Sequence, residues 1–245
     1  MKSPKVTVIF PARNVETTIK ACIEAAKRSE YKPSIIVSDG YSTDKTRDIA
    51  NECGVTVVTQ HKKLHPGKGN SMVTGIKTAL ENNSDVIVFL DADIKNLTPE
   101  WVDKLVKVVL EGRSDMARGS YERRPRDAPV TKLIARPMLA VFFPELGHLE
   151  QPLSGEVCAK REVWESLLKK NPPDGWGIDI WFLIESTMLG YNISEVFLGK
   201  KEHGSFAEYM EDVAKLSKMA EQVGFTIIRE AIRYDRITRE GSVRI

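Results

Sequence analysis

Short apolar runs alternate with amphipathic stretches along the first half of the chain. Largely apolar runs recur at 6–10, 34–37, 55–58 and 85–90, and each predicts a buried strand. Between and after them, apolar residues fall at helical spacing over about 18–29, 43–52, 69–81 and 98–110. Strands that alternate with helices in this way predict an α/β fold with a mostly parallel central sheet.

Residues that favour helix ends support these boundaries. Thr17 or Thr18 can cap the first helix, and Gly54 follows the second helix at the position of a C-terminal cap. Thr98, Pro99 and Glu100 open the fourth helix with a cap, a first-turn proline and an early acid.

The second half of the chain is less regular. Five prolines punctuate residues 121–155 and predict loops and short helices over one edge of the sheet. Helices are predicted over 181–189 and 205–223, and the second of these forms a helical C-terminal extension with an apolar stripe. The stripe indicates core packing or a dimer contact. The tail, 229–245, is expected to pack on a partner subunit, so a homodimer is predicted.

The composition argues against a disordered, a nucleic-acid-binding and a membrane-spanning protein. Of 245 residues, 42% are hydrophobic and 29% are charged, which is typical of a folded domain and not of a disordered chain. The net charge of +2 gives no field that would attract a nucleic acid, and no such partner is expected. No apolar run approaches the roughly 20 residues that span a bilayer. The sequence therefore predicts a cytoplasmic protein without an integral membrane segment.

Polar segments follow three of the predicted strands, where an open parallel sheet binds its ligands. They are 11–14, 38–40 and 91–93. Asp91 and Asp93 are separated by one residue, so together they can share a divalent cation or a water in its shell. An isolated pair of this kind is common by chance, and one aspartate can simply cap the next turn. Its position directly after an apolar strand favours the metal interpretation.

Lys68 lies in a glycine-rich turn, 66–70, just before a predicted helix. The two glycines of the turn would let the backbone approach a ligand, and the ammonium group of Lys68 suits a phosphate or a base, although a solvated surface turn would give the same pattern. Asp39 can accept a hydrogen bond from uracil or ribose, or it can serve only as a turn residue. His203 is a third metal-ligand candidate, because glycines flank its segment closely.

Two nucleotide-binding classes are disfavoured. No G-x-G-x-x-G follows the first strand, and no G-x-x-x-x-G-K-[ST] occurs in the chain. Three widely spaced cysteines without a C-x-x-C pair indicate free thiols rather than a zinc site or a disulfide framework.

Together these segments resemble the nucleotide-sugar-dependent glycosyltransferases of the GT-A fold, and more closely the retaining glucosyl-3-phosphoglycerate synthase family. The resemblance covers about residues 6–210, in the same order along the chain. In the first half the matching segments are Pro11-Ala12-Arg13-Asn14, Asp39-Gly40-Tyr41-Ser42-Thr43-Asp44, Pro66-Gly67-Lys68-Gly69 and Asp91-Ala92-Asp93. In the second half they are Ala135-Arg136-Pro137, Pro144-Glu145-Leu146-Gly147, Gln151-Pro152-Leu153-Ser154-Gly155-Glu156, Gly175-Trp176-Gly177-Ile178-Asp179-Ile180 and His203 after Leu198-Gly199.

The resemblance implies a Rossmann-like GT-A domain with a nucleotide-sugar-binding half over 1–120 and an acceptor-binding half over 121–245, continuous with each other. It implies a UDP-glucose or GDP-glucose donor, a small anionic acceptor such as 3-phosphoglycerate, and Mg²⁺ or Mn²⁺ as cofactor. The implied catalytic residues are Asp179, Leu153 and Lys68. The implied donor-binding residues are Pro11, Ala12, Arg13, Asn14, Asp39, Gly40, Lys68, Asp91, Ala92 and Asp93. The implied acceptor-binding residues are Thr131, Arg136, Gly155 and Ser205, and the implied metal ligands are Asp93 and His203 with Asp91.

The chain departs from the family pattern at three of its positions. Asp179 stands where the family has a glutamate, Pro129 where it has an arginine for the acceptor, and Ser205 where it has an asparagine. The last two departures fall on the acceptor side. Arg136 is the basic residue expected to replace the missing charge, with Lys132 one helical turn away.

Other functions remain open from the sequence. One is a GT-A enzyme that uses another acceptor, such as a polyprenyl phosphate. Another is a nucleotide-sugar-binding protein without turnover, which the intact Lys68, Asp91, Asp93 and His203 disfavour. A nucleotidyltransferase is disfavoured because no glycine- and arginine-rich loop follows the first strand.

Overall fold

The computed structural model describes residues 3–61, 67–122, 127–203 and 213–237. Within these ranges, seven strands form one sheet in the order β3-β2-β1-β4-β6-β5-β7. In chain order, β1 to β7 are Val6–Ala12, Ser34–Asp39, Thr56–Thr59, Val86–Phe89, Met116–Glu122, Val157–Lys160 and Ile193–Lys200. Strand β6 pairs antiparallel with β4 and β5, and the other neighbouring strands pair in parallel. The predicted α/β fold with a mostly parallel sheet is therefore confirmed.

Helices cover both faces of this sheet. In chain order, α1 to α8 are Ile19–Lys27, Thr46–Glu52, Lys68–Glu81, Pro99–Leu110, Arg136–Phe142, Arg161–Leu168, Ile178–Met188 and Val213–Arg233. A π-helical turn, Thr131–Ala135, leads into α5, and a 3₁₀ turn, Pro144–Leu146, follows it. Helices α1 and α4 pack on one face, whereas α3, α6 and α7 pack on the other. A third apolar cluster joins α5, α7 and α8 at one side of the second layer.

The apolar pattern located the elements of the first half, and it missed several in the second. Strand β5 was not predicted because its buried positions include Arg118 and Gly119, which interrupt the apolar run. Strand β6 and helix α6 were also missed, since the strand is short and runs directly into the helix at Arg161. Thr18 occupies the cap position of α1, but its hydroxyl donates to the carbonyls of Val15 and Ala92 instead of capping.

Helix α8 corrects the interpretation of the C-terminal region. The helix continues to Arg233, ten residues past the predicted end at Val223. Glu230 and Ala231, in the first part of the tail, are buried against the same chain, as is Ile227 just before it. This part of the tail therefore contributes to the chain's own core, and its contact with a partner subunit stays a prediction. The start of the predicted helix, 205–212, and the last residues, 238–245, lie outside the described ranges.

Among the described residues, none of the helices combines the length and hydrophobicity that a membrane-spanning segment requires.

Candidate active site

The loops that follow β1 and β2 lock together through backbone and side-chain hydrogen bonds. Asn14 Oδ1 accepts from the Thr43 N–H at 2.8 Å, and the Asn14 N–H donates to Ser42 Oγ at 3.0 Å. The Gly40 N–H donates to the Ala12 carbonyl at 2.8 Å. Pro11 pairs with Ser38 across the two strands, and the exposed Arg13 side chain lies beside Gly40. The predicted donor-binding segments 11–14 and 39–40 are thus brought to one place.

Asp39 is fully buried at the end of β2 and organises the turn after it. Its carboxylate accepts the Tyr41 N–H at 3.1 Å and the Ser42 N–H at 3.2 Å. Through these bonds Asp39 serves as a turn residue, which was one of the two roles that the sequence allowed; the other was ligand binding. A carboxylate has further lone pairs, so the observed bonds leave acceptor capacity for a ligand.

The aspartates that follow β4 have different surroundings. One oxygen of Asp91 lies 3.1 Å from Lys68 Nζ, and the other lies 2.8 Å from Lys201 Nζ. Burial alone would raise the pKa of Asp91, but the ammonium groups of Lys201 and Lys68 outweigh it and hold the pKa well below its usual value. Within the described residues, the Asp93 carboxylate makes no hydrogen bond and no ion pair. Ala92, between them, is buried.

Lys68 begins α3 and connects two carboxylates. Its ammonium lies 2.8 Å from Asp179 Oδ2, in addition to the contact with Asp91. Burial alone would lower the pKa of Lys68, whereas the charges of Asp179 and Asp91 raise it above its ordinary value. The lysine therefore carries a positive charge across the physiological range.

The glycines beside Lys68 make close contact with another segment of the same chain. A Cβ at Gly67 or Gly69 would overlap backbone atoms of residues 173–174. The Gly69 and Asn70 N–H groups donate to the carbonyls of Gly175 and Asp174 at 3.2 and 3.0 Å. The lack of side chains at Gly67 and Gly69 thus lets the 173–175 segment of the same chain approach closely. This contact brings the start of α7, with Asp179, to Lys68. The approach of a ligand to these glycines stays a prediction.

Asp179 lies in the first turn of α7 and is almost fully buried. Burial raises the pKa of Asp179, and the charge of Lys68 opposes that rise. Its Oδ1 has no hydrogen-bond partner among the described residues. A buried oxygen without a partner is unusual, because desolvation without a replacement bond costs free energy. Asp179 therefore has an acceptor available for a polar group of a ligand.

Glu156 and Lys201 complete the charged cluster, and the sequence interpretation gave neither of them a role. Lys201 Nζ lies 2.8 Å from Glu156 Oε1 as well as from Asp91. It also lies 5.3 Å from the centre of the Tyr121 ring, and the Tyr121 hydroxyl donates to Glu156 Oε2. Burial raises the pKa of Glu156 to about 7, which Lys201 opposes and Asp91 supports. The sequence offered one signal for Lys201, namely its position two residues before the candidate metal ligand His203.

The segment that carries His203 is docked beside the Asp93 segment. The Lys95 N–H donates to the Glu202 carbonyl at 2.7 Å, and the Glu202 N–H donates to Asn96 Oδ1 at 2.9 Å. The described residues nevertheless contain no group of three or more His, Cys, Asp or Glu side chains arranged to hold a metal ion. A metal set of Asp91, Asp93 and His203 therefore stays a prediction. It agrees with the uncommitted carboxylate of Asp93, because hard oxygen donors suit Mg²⁺ and Mn²⁺.

The predicted acceptor residues are spread over several elements. Thr131 is buried in the π-helical turn, whereas Arg136 is partly exposed and lies 3.2 Å from Glu150. Gly155 lies against Asp91, and a Cβ at this position would overlap the carboxylate. Ser205 lies outside the described residues, as does Pro66 of the glycine-rich turn.

Comparisons with known proteins agree on one kind of enzyme. The family model for the mannosylglycerate synthase glycosyltransferase domain matches residues 7–220. The glucosyl-3-phosphoglycerate synthase of Mycobacterium tuberculosis is 33% identical over 91% of this chain and 72% of its own. The crystal structure of that enzyme with Mn²⁺, UDP and glucosyl-3-phosphoglycerate superposes with a TM-score of 0.82, at 32% identity, over 93% of this chain and 80% of the other. Its complex with Mn²⁺, UDP-glucose and phosphoglyceric acid gives a TM-score of 0.81, with the same identity and shares.

Proposed function

The chain belongs to the mannosylglycerate synthase glycosyltransferase-domain family, and we propose that it transfers glucose from a nucleotide diphosphate sugar to 3-phosphoglycerate or a related small anionic acceptor. The anomeric configuration is retained, and UDP-glucose or GDP-glucose is the donor. One observation carries the proposal. Lys68 Nζ connects Asp91, at the end of β4, to Asp179, at the start of α7, which joins a donor-side residue to a sugar-side residue within a glycosyltransferase fold.

The donor is held at the carboxyl ends of β1, β2 and β4. Residues 11–14 with Asp39 and Gly40 contact the base, supported by the bonded loops that follow β1 and β2. Lys68 contributes a positive charge toward the nucleotide, and Asp91 lies toward the ribose. Asp179 presents its free Oδ1 to hydroxyl groups of the donor sugar, and the Leu153 segment faces the reacting carbon.

A divalent cation is part of the proposal. Asp93 and His203, with Asp91, would hold Mg²⁺ or Mn²⁺, and the ion would supply positive charge that stabilises the leaving diphosphate. Lys68 and Lys201 place two ammonium groups beside Asp91 and so offset the negative charge of that carboxylate. The chain then has no need of a strong nucleophile, because orientation and charge stabilisation account for the catalysis.

The acceptor is held on the side of Thr131, Arg136, Gly155 and Ser205. Pro129 offers neither charge nor an N–H, so Arg136 supplies the charge for the acceptor's carboxylate or phosphate. The Arg136 side chain is 40% exposed, and its partner Glu150 is 64% exposed. A pair this exposed is weak, so an anionic acceptor can displace Glu150 at little cost.

A donor-by-acceptor activity screen tests the proposal. UDP-glucose, GDP-glucose and a mannose donor are each offered to 3-phosphoglycerate, glycerate and a short polyprenyl phosphate, with Mn²⁺, Mg²⁺ or EDTA. Metal-dependent transfer from a glucose donor to 3-phosphoglycerate is expected, and Asp179→Asn serves as the inactive control. Transfer of mannose to glycerate would favour a second candidate function, mannosylglycerate synthesis, which the match to the mannosylglycerate synthase family supports. Absence of transfer with every pair would contradict an enzymatic function of this kind.

A further inference from the structure

The backbone of residues 150–154 is held by two charged side chains that neither the sequence motifs nor the proposed site include. Arg118, in β5, is fully buried and donates to the carbonyls of Pro152 at 3.1 Å and Ser154 at 2.8 Å. These two carbonyls lie on either side of Leu153. Within the described residues, the N–H and carbonyl groups of Leu153 itself make no hydrogen bond.

Glu195 holds the beginning of the same segment from the neighbouring strand. It lies directly across from Arg118 in the parallel pairing of β5 and β7. Its two carboxylate oxygens accept the N–H groups of Glu150 at 2.9 Å and Gln151 at 2.5 Å. Arg118 and Glu195 therefore fix the backbone before and after Leu153 from one side of the sheet.

Arg118 reaches the other side of the site as well. Its second terminal nitrogen donates to the carbonyl of Asp179 at 3.3 Å, in the first turn of α7. One guanidinium thus sets the position of the Leu153 segment relative to Asp179. The planar fork of arginine suits this task, since it presents several donors in a rigid arrangement.

Stability does not explain why an arginine occupies this position. Its partners by hydrogen bond are backbone carbonyls, and burial lowers the pKa of Arg118. Burying a charge is costly, and well-packed apolar residues are often as stable as a buried ionic group or more so. An arginine kept in the core beneath the site points to a requirement of geometry.

We propose that Arg118 and Glu195 are positioning residues, which hold the Leu153 backbone and Asp179 at the separation that glycosyl transfer requires. The inference rests on the proposed function, because it assigns Leu153 and Asp179 to the donor sugar. Neither positioning residue contacts the nucleotide segments 11–14 and 39–40. Their loss should therefore affect turnover and leave nucleotide binding in place.

The test compares turnover with nucleotide affinity in the same variants. Arg118→Met is expected to lower kcat on the order of 100-fold, the scale of a displacement of about 1 Å at a reacting centre. Arg118→Lys is expected to recover part of that loss, since an ammonium at the same depth can still donate to these carbonyls. Affinity for UDP with Mn²⁺, measured by calorimetry, is expected to stay within about twofold, because neither residue contacts the nucleotide segments. Loss of a direct contact would weaken the affinity tenfold for about every 1.4 kcal/mol of binding free energy lost.

Arg161→Met is the matched control. Arg161 also donates to backbone carbonyls, those of Leu80 and Ser84, but it lies at the start of α6, beside the amino end of β4. Its loss is expected to lower the melting temperature and leave kcat unchanged. If Arg118→Met does not fold, Glu195→Gln gives the same comparison through a milder change.

The outcomes are distinct. Normal kcat in a folded Arg118→Met or Glu195→Gln protein would overturn the inference and leave the proposed function intact. A parallel loss of UDP affinity would also overturn it, because a general distortion would then explain the defect. A wild-type protein that transfers no sugar would overturn the proposed function and the inference with it.

Discussion

At the scale of single residues, the site is a cluster of buried charges that neutralise one another. Lys68 and Lys201 together contact three carboxylates, those of Asp91, Glu156 and Asp179. The residue pattern predicted roles for Lys68 and Asp91, and the family resemblance added Asp179. It could not identify the Glu156–Lys201 pair, whose members are 45 positions apart and meet only through the sheet.

Replacing Lys68 tests its contact with the nucleotide. Lys68→Met is expected to weaken UDP binding by roughly 1.5–3 kcal/mol, the usual value of a partly buried charge-assisted hydrogen bond. Calorimetry with UDP and Mn²⁺ measures it, and Lys77→Met, at an exposed lysine of the same helix, is the control. Unchanged affinity in Lys68→Met would leave the lysine with a structural role only.

Glu156 should make stability depend on pH in an unusual direction. Its pKa is about 7 in the folded protein and about 4.3 in an unfolded chain. Between these values the folded state holds a proton that the unfolded state has released. This stabilisation is therefore complete below about pH 4 and is lost as the pH rises toward 7. Asp91 acts oppositely and in a lower window, since its pKa is depressed.

Denaturation between pH 5 and 7.5 measures this effect. Relative to Glu156→Gln, which does not titrate, the wild-type protein is expected to lose roughly 2 kcal/mol of unfolding free energy across the range. Glu81→Gln, at an exposed position on α3, is the control and should follow the wild type. Parallel curves for wild type and Glu156→Gln would contradict the raised pKa.

Arg136 is expected to act on the acceptor alone. Removing its charge by Arg136→Ala should raise the KM for 3-phosphoglycerate about tenfold or more, since a charge-assisted contact is worth about 1.5–3 kcal/mol. The KM for the sugar donor should change little. Steady-state kinetics with each substrate varied in turn provides the measurement. An equal rise in both KM values would remove Arg136 from the acceptor site.

At the scale of elements, backbone contacts decide what each glycine does. Gly69 and Gly224 both lie in helices, α3 and α8, and helix propensity alone would favour alanine at both. The environments differ. A Cβ at Gly69 would overlap the 173–174 backbone, whereas a Cβ at Gly224 would lie 3.7 Å from the side chains of Ile134 and Met138.

The two substitutions should therefore have opposite signs. Gly69→Ala is expected to destabilise the protein by about 1–3 kcal/mol, because the 173–175 segment must move away. Gly224→Ala is expected to stabilise it by about 0.5–1 kcal/mol, through helix propensity and ordinary contact. Urea unfolding measures the free energy of unfolding of each variant. A stabilised Gly69→Ala protein would contradict the prediction, because the 173–175 segment would then move away without cost.

At the scale of the whole molecule, the sheet interleaves the two halves of the chain. Strand β5 ends at Glu122, near the predicted boundary, yet its sheet neighbours are β6 and β7 from the second half. Strand β4 likewise pairs with β6. Removing either half of the chain would therefore leave strands of the remaining half without their pairing partners.

A fragment of residues 1–120 should consequently fail to fold by itself. Removing β6 exposes the edge of β4 and leaves β5 without a pairing strand. Circular dichroism and thermal melting are expected to show no cooperative transition, in contrast to the full chain. A cooperative melt of the fragment would instead establish the first half as an independent domain.

The sequence by itself determined the α/β class, the elements of the first half and the three polar segments at strand ends, because periodicity and strand-end chemistry are local properties. Only the tertiary structure decided that Arg118 occupies a core strand, that Gly67 and Gly69 serve the 173–175 segment, and that Lys201 meets Glu156. These features depend on which distant segments become neighbours. The order of strands in the sheet and the docking of loops determine which segments meet, and no local pattern of residues encodes these contacts.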